Sequence, residues 1–255
     1  MNKNIMKKTY GWKPDLPDQR DFTYKVTAPI ALPPKVDLRP FCPPVYDQGQ
    51  LGSCTGNAIA ASVQFEQLKK KDPHAFMPSR LFIYYNERVI EGTVKQDAGA
   101  MIRDGLKVVN NQGACTETTW PYVITKFANK PVAKAYTEGL KYKTKVYARV
   151  LQNLNSLKTC LASGDPFVFG FTVYQSFESN TVAKTGIVPM PATNEAVLGG
   201  HAVLCVGYDD STQRFIVRNS WGPTWGIKGY FTFPYAYLTN NNLADDIWVI
   251  KDVNI

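Results

Sequence analysis

The chain has 255 residues, 44% of them hydrophobic and 20% charged, with a net charge of +8. That is an ordinary globular composition, with length enough for a large core in one bipartite domain or two small ones. The positive balance would permit nucleic-acid binding, but the lysines are scattered, and the one tight run, Lys69-Lys70-Lys71, falls at a helix end where it complements the helix dipole. No stretch reaches the roughly 18 apolar residues of a membrane span, and the basic start, Met1 to Tyr10, lacks the apolar core of a secretion signal. Nucleic acid and membrane are set aside as partners.

In chain order, residues 1–35 carry Pro14, Pro17, Pro29, Pro33 and Pro34 and read as an extended, non-globular segment ahead of a domain at 36–255. A loop broken by Gly49 and Gly52 then delivers Cys54 to the first turn of an apolar helix over 53–71. A second helix runs from Pro78-Ser79 to Gly92, a third over 101–112 with Gly113 as its stop, and a short one over 131–142. The hydrophobic period then changes. Strands are expected at 145–150, 167–174, 201–208, 214–219, 229–233 and 247–253, with a short helix at 153–162 closed by Gly164. Helices first (about 36–142) and strands second (about 143–255) make an α+β layout. There is no internal repeat.

A thiol at a helix N-terminus ionises more easily, and the thiolate is the nucleophile. The amide of Gln48 can fold back beside Cys54, giving with the Cys54 N–H two donors for an oxyanion. A lone cysteine before an apolar helix is more often plain core, so the reading depends on what lies downstream. There His201, one of two histidines, sits in a stretch from Gly199 to Tyr208 that alternates like a strand, and Asn219 opens the run Asn219-Ser220-Trp221-Gly222. The other histidine, His74, reads as a solvated loop residue. On a strand, His201 and Cys205 would stand about 13 Å apart, too far to share one zinc, so neither a metal nor another cofactor is expected. Five cysteines without a framework spacing, and no secretion signal, favour a reducing, intracellular compartment.

Three blocks in order, Gln48-Gly49-x-x-Gly52-Ser53-Cys54, then Gly200-His201-Ala202-Val203, then Asn219-Ser220-Trp221-Gly222-x-x-Trp225-Gly226, resemble the papain-like cysteine peptidases. The resemblance runs from Val36-Asp37-Leu38-Arg39 to the C-terminus. It implies a two-lobed fold, with a cleft between a helical lobe and a small β-barrel-like lobe, and a thiol protease acting on protein or peptide substrates. In that scheme Cys54 forms a thioester, His201 is base and acid, Asn219 orients His201, Gln48 serves the oxyanion, and Trp221 with Trp225 covers the His201–Asn219 bond. Gly99 or Ala100 would pair with the substrate backbone. The pocket for the second residue before the scissile bond would be lined by Met101, Ile102, Gly170 and Gly200, with Ile247 or Trp248 near its floor and Asp245 and Asp246 close enough to admit a basic side chain.

Two departures stand out. Thr55 follows the nucleophile where relatives usually have an aromatic residue, and Leu51 replaces a cysteine whose disulfide partner in secreted relatives lies near 95–97. Endopeptidase action is the leading expectation. Exopeptidase or transpeptidase action at the same site, or an inactive binding protein of the same fold, are the alternatives. Residues 1–35 are shorter than the helical pro-segments of many relatives, yet Trp12, Leu16 and Phe22 want burial. They are expected to strap the cleft and inhibit it, as in a zymogen.

Overall fold

The computed structural model describes residues 9–26 and 30–253. The first long helix, α1 (Cys54–Lys69), is buried on nearly every side through Phe65, as its lack of a polar face foretells. It starts without a side-chain cap, because the Ser53 hydroxyl is engaged by Tyr122 and Asn57. Helix α2 (Arg80–Ile90) is capped by Ser79, whose hydroxyl accepts from the Phe82 amide at 3.1 Å. Helix α3 (Ile102–Asn111) follows directly on the two-residue strand β3 (Ala100–Met101), and α4 (Ala133–Gly139) is short.

The sheet is built from β4 (Thr144–Arg149), β5 (Phe167–Tyr174), β6 (Val197–Asp209), β7 (Arg214–Arg218), β8 (Tyr230–Pro234) and β9 (Ala244–Val253), with short helices α5 (Leu154–Ala162), α6 (Asn180–Thr185) and α7 (Tyr235–Leu238) between them. Strand order is β4-β9-β5-β6-β7-β8, and β2 (Lys35–Asp37) pairs with the end of β6. Among the described residues β4 and β8 do not pair, so the sheet stays open where a barrel-like lobe was expected. The helices and strands fall within about two residues of their sequence positions, except that β6 and β9 begin earlier. At Val197–Gly200 there is no alternation to read; the strand persists there because β5 supplies its backbone partners.

Within the first 35 residues, the described part keeps the extended form expected but not the non-globular character. It runs along the body, and strand β1 (Trp12–Lys13) pairs in parallel with β3. Further on, the Phe22 carbonyl accepts from the Arg149 amide at 2.7 Å, and the Tyr24 amide donates to Arg149 at 2.8 Å. Of the three apolar side chains, only Trp12 is buried, at 9% exposure. Leu16 and Phe22 stay open at 68% and 78%, because charged groups hold this part of the segment. Residues 1–8 and 27–29 lie outside the described residues.

Candidate active site

Cys54 opens α1 and His201 lies on β6, the strand against which α1 packs. The amide of Ala202, next to His201, points at the Cys54 sulfur. One ring nitrogen of His201, Nε2, lies 2.8 Å from Asn219 Oδ1, which also accepts from the Ser220 amide at 2.8 Å. Asn219 follows β7 directly, so two neighbouring strands set the imidazole–amide pair. Trp221 stacks on the His201 ring with centroids 5.0 Å apart, and Trp225 stands edge-on to Trp221 at 5.1 Å. Phe171 and Phe177 close the rest of the ring cage. His201 is wholly buried, and exclusion of water strengthens the bond it makes. The sequence pointed to the tryptophans but not to these phenylalanines, whose only signal was an aromatic-rich strand followed by Gln175-Ser176-Phe177.

Gln48 is fixed from both sides. Its amide oxygen accepts from Ser220 Oγ at 2.6 Å, and its Nε2 donates to the Leu51 carbonyl at 3.0 Å and to the Thr9 carbonyl at 3.3 Å. The donor expected to face an oxyanion thus faces a peptide carbonyl of the N-terminal segment. That segment, here called the strap, then passes Cys54. The Gly11 amide points at the sulfur, and the Gly11 carbonyl accepts from Ala100 N at 2.7 Å. Covered in this way, the Cys54 thiol is pushed up to about 12 by burial, with the Ala202, Gly11 and Thr55 amides pulling it back down. The eased ionisation read from the helix N-terminus is opposed under the strap by burial, the largest cause of the rise.

The Trp12 indole enters the cleft beyond Cys54. A Cβ on Gly170 would lie 1.9 Å from its ring, and one on Gly200 would lie 2.5 Å from its carbonyl oxygen. Its Nε1 donates to Asp246 Oδ2 at 3.0 Å, the same oxygen that accepts from Asp15 N at 2.7 Å.

A family model described as papain family cysteine protease matches residues 32–247. The chain belongs to this family. It is 43% identical, over 99% of its length and 90% of the other's, to an uncharacterised peptidase C1-like protein of Acanthamoeba polyphaga mimivirus. It is 32% identical to a cathepsin B-like protein of Giardia intestinalis over 78% of this chain and 68% of that one. Among solved structures it superposes on xylellain, a cysteine protease from Xylella fastidiosa, with a TM-score of 0.90 and 50% identity over 96% of both chains. A procathepsin B from Trypanosoma congolense shares the fold at a TM-score of 0.75, with 18% identity over 96% of this chain and 87% of that one.

As a papain-family cysteine peptidase, the chain places its expected cleft residues unevenly. Gly170 and Gly200 wall the Trp12 pocket, and Ala100 supplies the backbone donor. Gly99 does not, since its amide bonds the Tyr84 hydroxyl at 3.1 Å; it matters because a Cβ there would lie 2.1 Å from the Gly11 carbonyl. Met101 pairs with Lys13, and its amide is taken by Glu91 at 2.7 Å; Ile102 is buried at the start of α3. The group at the tip of Trp12 is Asp246 rather than Trp248, whose Nε1 donates to Asp15 Oδ2 at 2.9 Å. Ile247 is buried, and its carbonyl accepts from Val150 N at 2.8 Å.

Both departures from the family pattern have physical counterparts. The Thr55 hydroxyl donates to Glu87 at 2.7 Å, and burial pushes that carboxyl up to about 8. Where secreted relatives carry a disulfide, Asp97 accepts twice from the Gly52 amide, at 3.0 Å each, and once from the Tyr84 hydroxyl at 2.5 Å. A carboxylate clamp ties the loop before Cys54 to its neighbour, and all five cysteines are free thiols.

Proposed function

We propose that this protein is a cysteine endopeptidase whose cleft is closed in cis by its own residues 9–26. In the open enzyme Cys54, paired with His201, attacks a peptide carbonyl. The oxyanion forms against Gln48 Nε2 and the Cys54 N–H, His201 protonates the leaving amine, and water hydrolyses the thioester. The observation that carries the reading is the Thr9 carbonyl bonded to Gln48 Nε2 while the Gly11 amide faces the sulfur. The site is holding peptide backbone with the groups assigned to catalysis.

Endopeptidase action is supported by the path of the strap, which continues past Cys54 on both sides, from Tyr10 beside His201 and Trp221 to Asp15 beside Trp248. A cleft that admits chain on both sides has no need of a substrate terminus. Direction supports inhibition. A substrate with its second-before-scissile residue in the Trp12 pocket runs from that pocket to Cys54, whereas the strap runs from Tyr10 through Gly11 to Trp12. The strap therefore lies reversed and is not cut where it rests. The same pocket, with Asp246 at its end, supports preference for a side chain with an N–H tip, arginine or tryptophan, beside leucine and phenylalanine.

The experiment uses a fluorogenic peptide blocked at both termini, with the full-length chain and its Tyr10→Ala/Trp12→Ala variant. Internal cleavage by the variant, lost in Cys54→Ala, is expected. Cleavage only of peptides with a free end would refute the endopeptidase reading, and equal rates for the two chains would refute the strap.

A further inference from the structure

The strap also marks a position on the far side of Cys54 from Trp12. Tyr10, the residue before Gly11, stands edge-on to His201 with ring centroids 6.0 Å apart and tilts against Trp221 at 6.2 Å. A Cβ on Gly199 would lie 2.8 Å from that of Tyr10, and the Tyr10 hydroxyl donates to Glu178 Oε1. A cavity of about 600 Å³ surrounds the contact, walled by Glu178, the exposed Val197 and Leu198, and Gly199 and Gly200. Glu178 ends a 3-10 turn between β5 and α6. Among the described residues, no lysine or arginine comes within ion-pair distance of it, and Tyr10 is its one side-chain hydrogen-bond partner. A second carboxylate, Glu195, lines the adjoining cavity with it.

We infer that Glu178 is a specificity-determining residue for the first residue of the leaving group, selecting a long side chain that ends in a hydrogen-bond donor, arginine above tyrosine and both above leucine. The inference rests on the peptidase reading. When Tyr10 leaves, the carboxylate remains at the wall of an open cavity next to the imidazole, with no cation of its own among the described residues. A charged donor makes the stronger bond to it, while Val197 and Leu198 cover the aliphatic stem. Glu178 is only half-buried, so solvent limits the gain.

Acyl transfer isolates this position. A blocked peptide methyl ester acylates Cys54 with loss of methanol. An amino-acid amide then competes with water for the thioester: its nitrogen bonds the carbonyl carbon, the C–S bond breaks, and the amine proton passes to His201 and on to the departing thiolate. With the full-length Tyr10→Ala/Trp12→Ala chain, the ratio of transfer to hydrolysis should be about fivefold higher for argininamide than for leucinamide at equal concentration, with tyrosinamide between. Adding Glu178→Gln should bring argininamide close to leucinamide, and Glu178→Asp should restore part of the difference. Equal partitioning in the parent, or a ratio unchanged by Glu178→Gln, overturns the assignment while leaving the peptidase intact. No acylation in any chain overturns both.

Discussion

Two ends of one cleft are held by different physics. Around His201 the neighbours are rings (Trp221, Phe171, Phe177 and, from the strap, Tyr10), and Nε2 is held by a neutral amide, that of Asn219. Around Asp15, beside the Trp248 indole, the neighbours are charges. Arg149 reaches Asp15, Asp21, Asp245 and Asp246 within 3.5 Å, and Arg103 pairs with Asp21 at 2.6 Å. The ring cage is a fixed, dry setting that suits the proposed acyl transfer. The charged end is a fastening whose strength depends on protonation, because burial and the neighbouring Asp246 raise Asp15 well above the usual carboxylate range. A contact built from buried charges is easily made conditional; one built from packed rings is not.

The largest expected effects fall on the ring-lined end. In the full-length Tyr10→Ala/Trp12→Ala chain, Cys54→Ala should abolish peptide hydrolysis, a loss of at least about 10³-fold, with the melting temperature little changed. Gln48→Ala should cost about 10²-fold in kcat by removing an oxyanion donor. Asn219→Ala should cost somewhat less, since His201 keeps its chemistry but loses its orientation. A Cys54→Ala protein that still turns over would separate the ring cage from catalysis altogether.

Effects at the charged end run in the opposite direction. Trp12→Ala alone, in the otherwise intact chain, should raise activity tenfold or more, because truncating a buried tryptophan costs about 3 kcal/mol or more and the strap has only its tethered local concentration to offset the loss. Stability of the body, followed by circular dichroism, should change far less than activity.

The smallest effect is the most particular to this comparison. The docked strap holds Asp15 at a raised pKa, about 7, against about 3.9 when free, so the docked form binds the extra proton. Docking is therefore tightest below the free value and weakens as pH rises through 7. The activity of the full-length chain, divided by that of the Tyr10→Ala/Trp12→Ala chain, should climb severalfold between pH 5 and 8, and Asp15→Asn should flatten the climb. A ratio that rises toward acid instead would show that the charges do not fasten the strap in this sense.

What the sequence disclosed follows the same division. Cys54, Gln48, His201 and Asn219 sit in motifs whose local rules (a glycine-broken loop, a helix start, an alternating strand) place each side chain before any tertiary contact is known. The two pocket glycines were legible only through the family resemblance; the structure supplies the reason, since a Cβ at either would meet Trp12. The strap's fastening was not legible. Asp15 and Asp21 of the strap, Arg103, Arg149 and Asp246 come from four separate stretches, none unusual in its own neighbourhood, and they meet only because β4 and β9 pair and bring Arg149 beside Trp248. Leu16 and Phe22 misled for the same reason: apolar character predicts burial, yet here the backbone and the charges around it hold the chain. Thr55 showed as a departure, but its partner Glu87, on another helix, did not.

The central claim is that the strap, and not a defect in the catalytic groups, keeps Cys54 covered. Its most direct test is the second-order rate at which an epoxysuccinyl peptide alkylates Cys54, followed by intact mass, in the full-length chain and in the full-length Tyr10→Ala/Trp12→Ala chain at pH 6. The account predicts alkylation at least about tenfold faster in the variant, confined to Cys54 among the five thiols. Equal rates in the two chains, whether both fast or both slow, would contradict it.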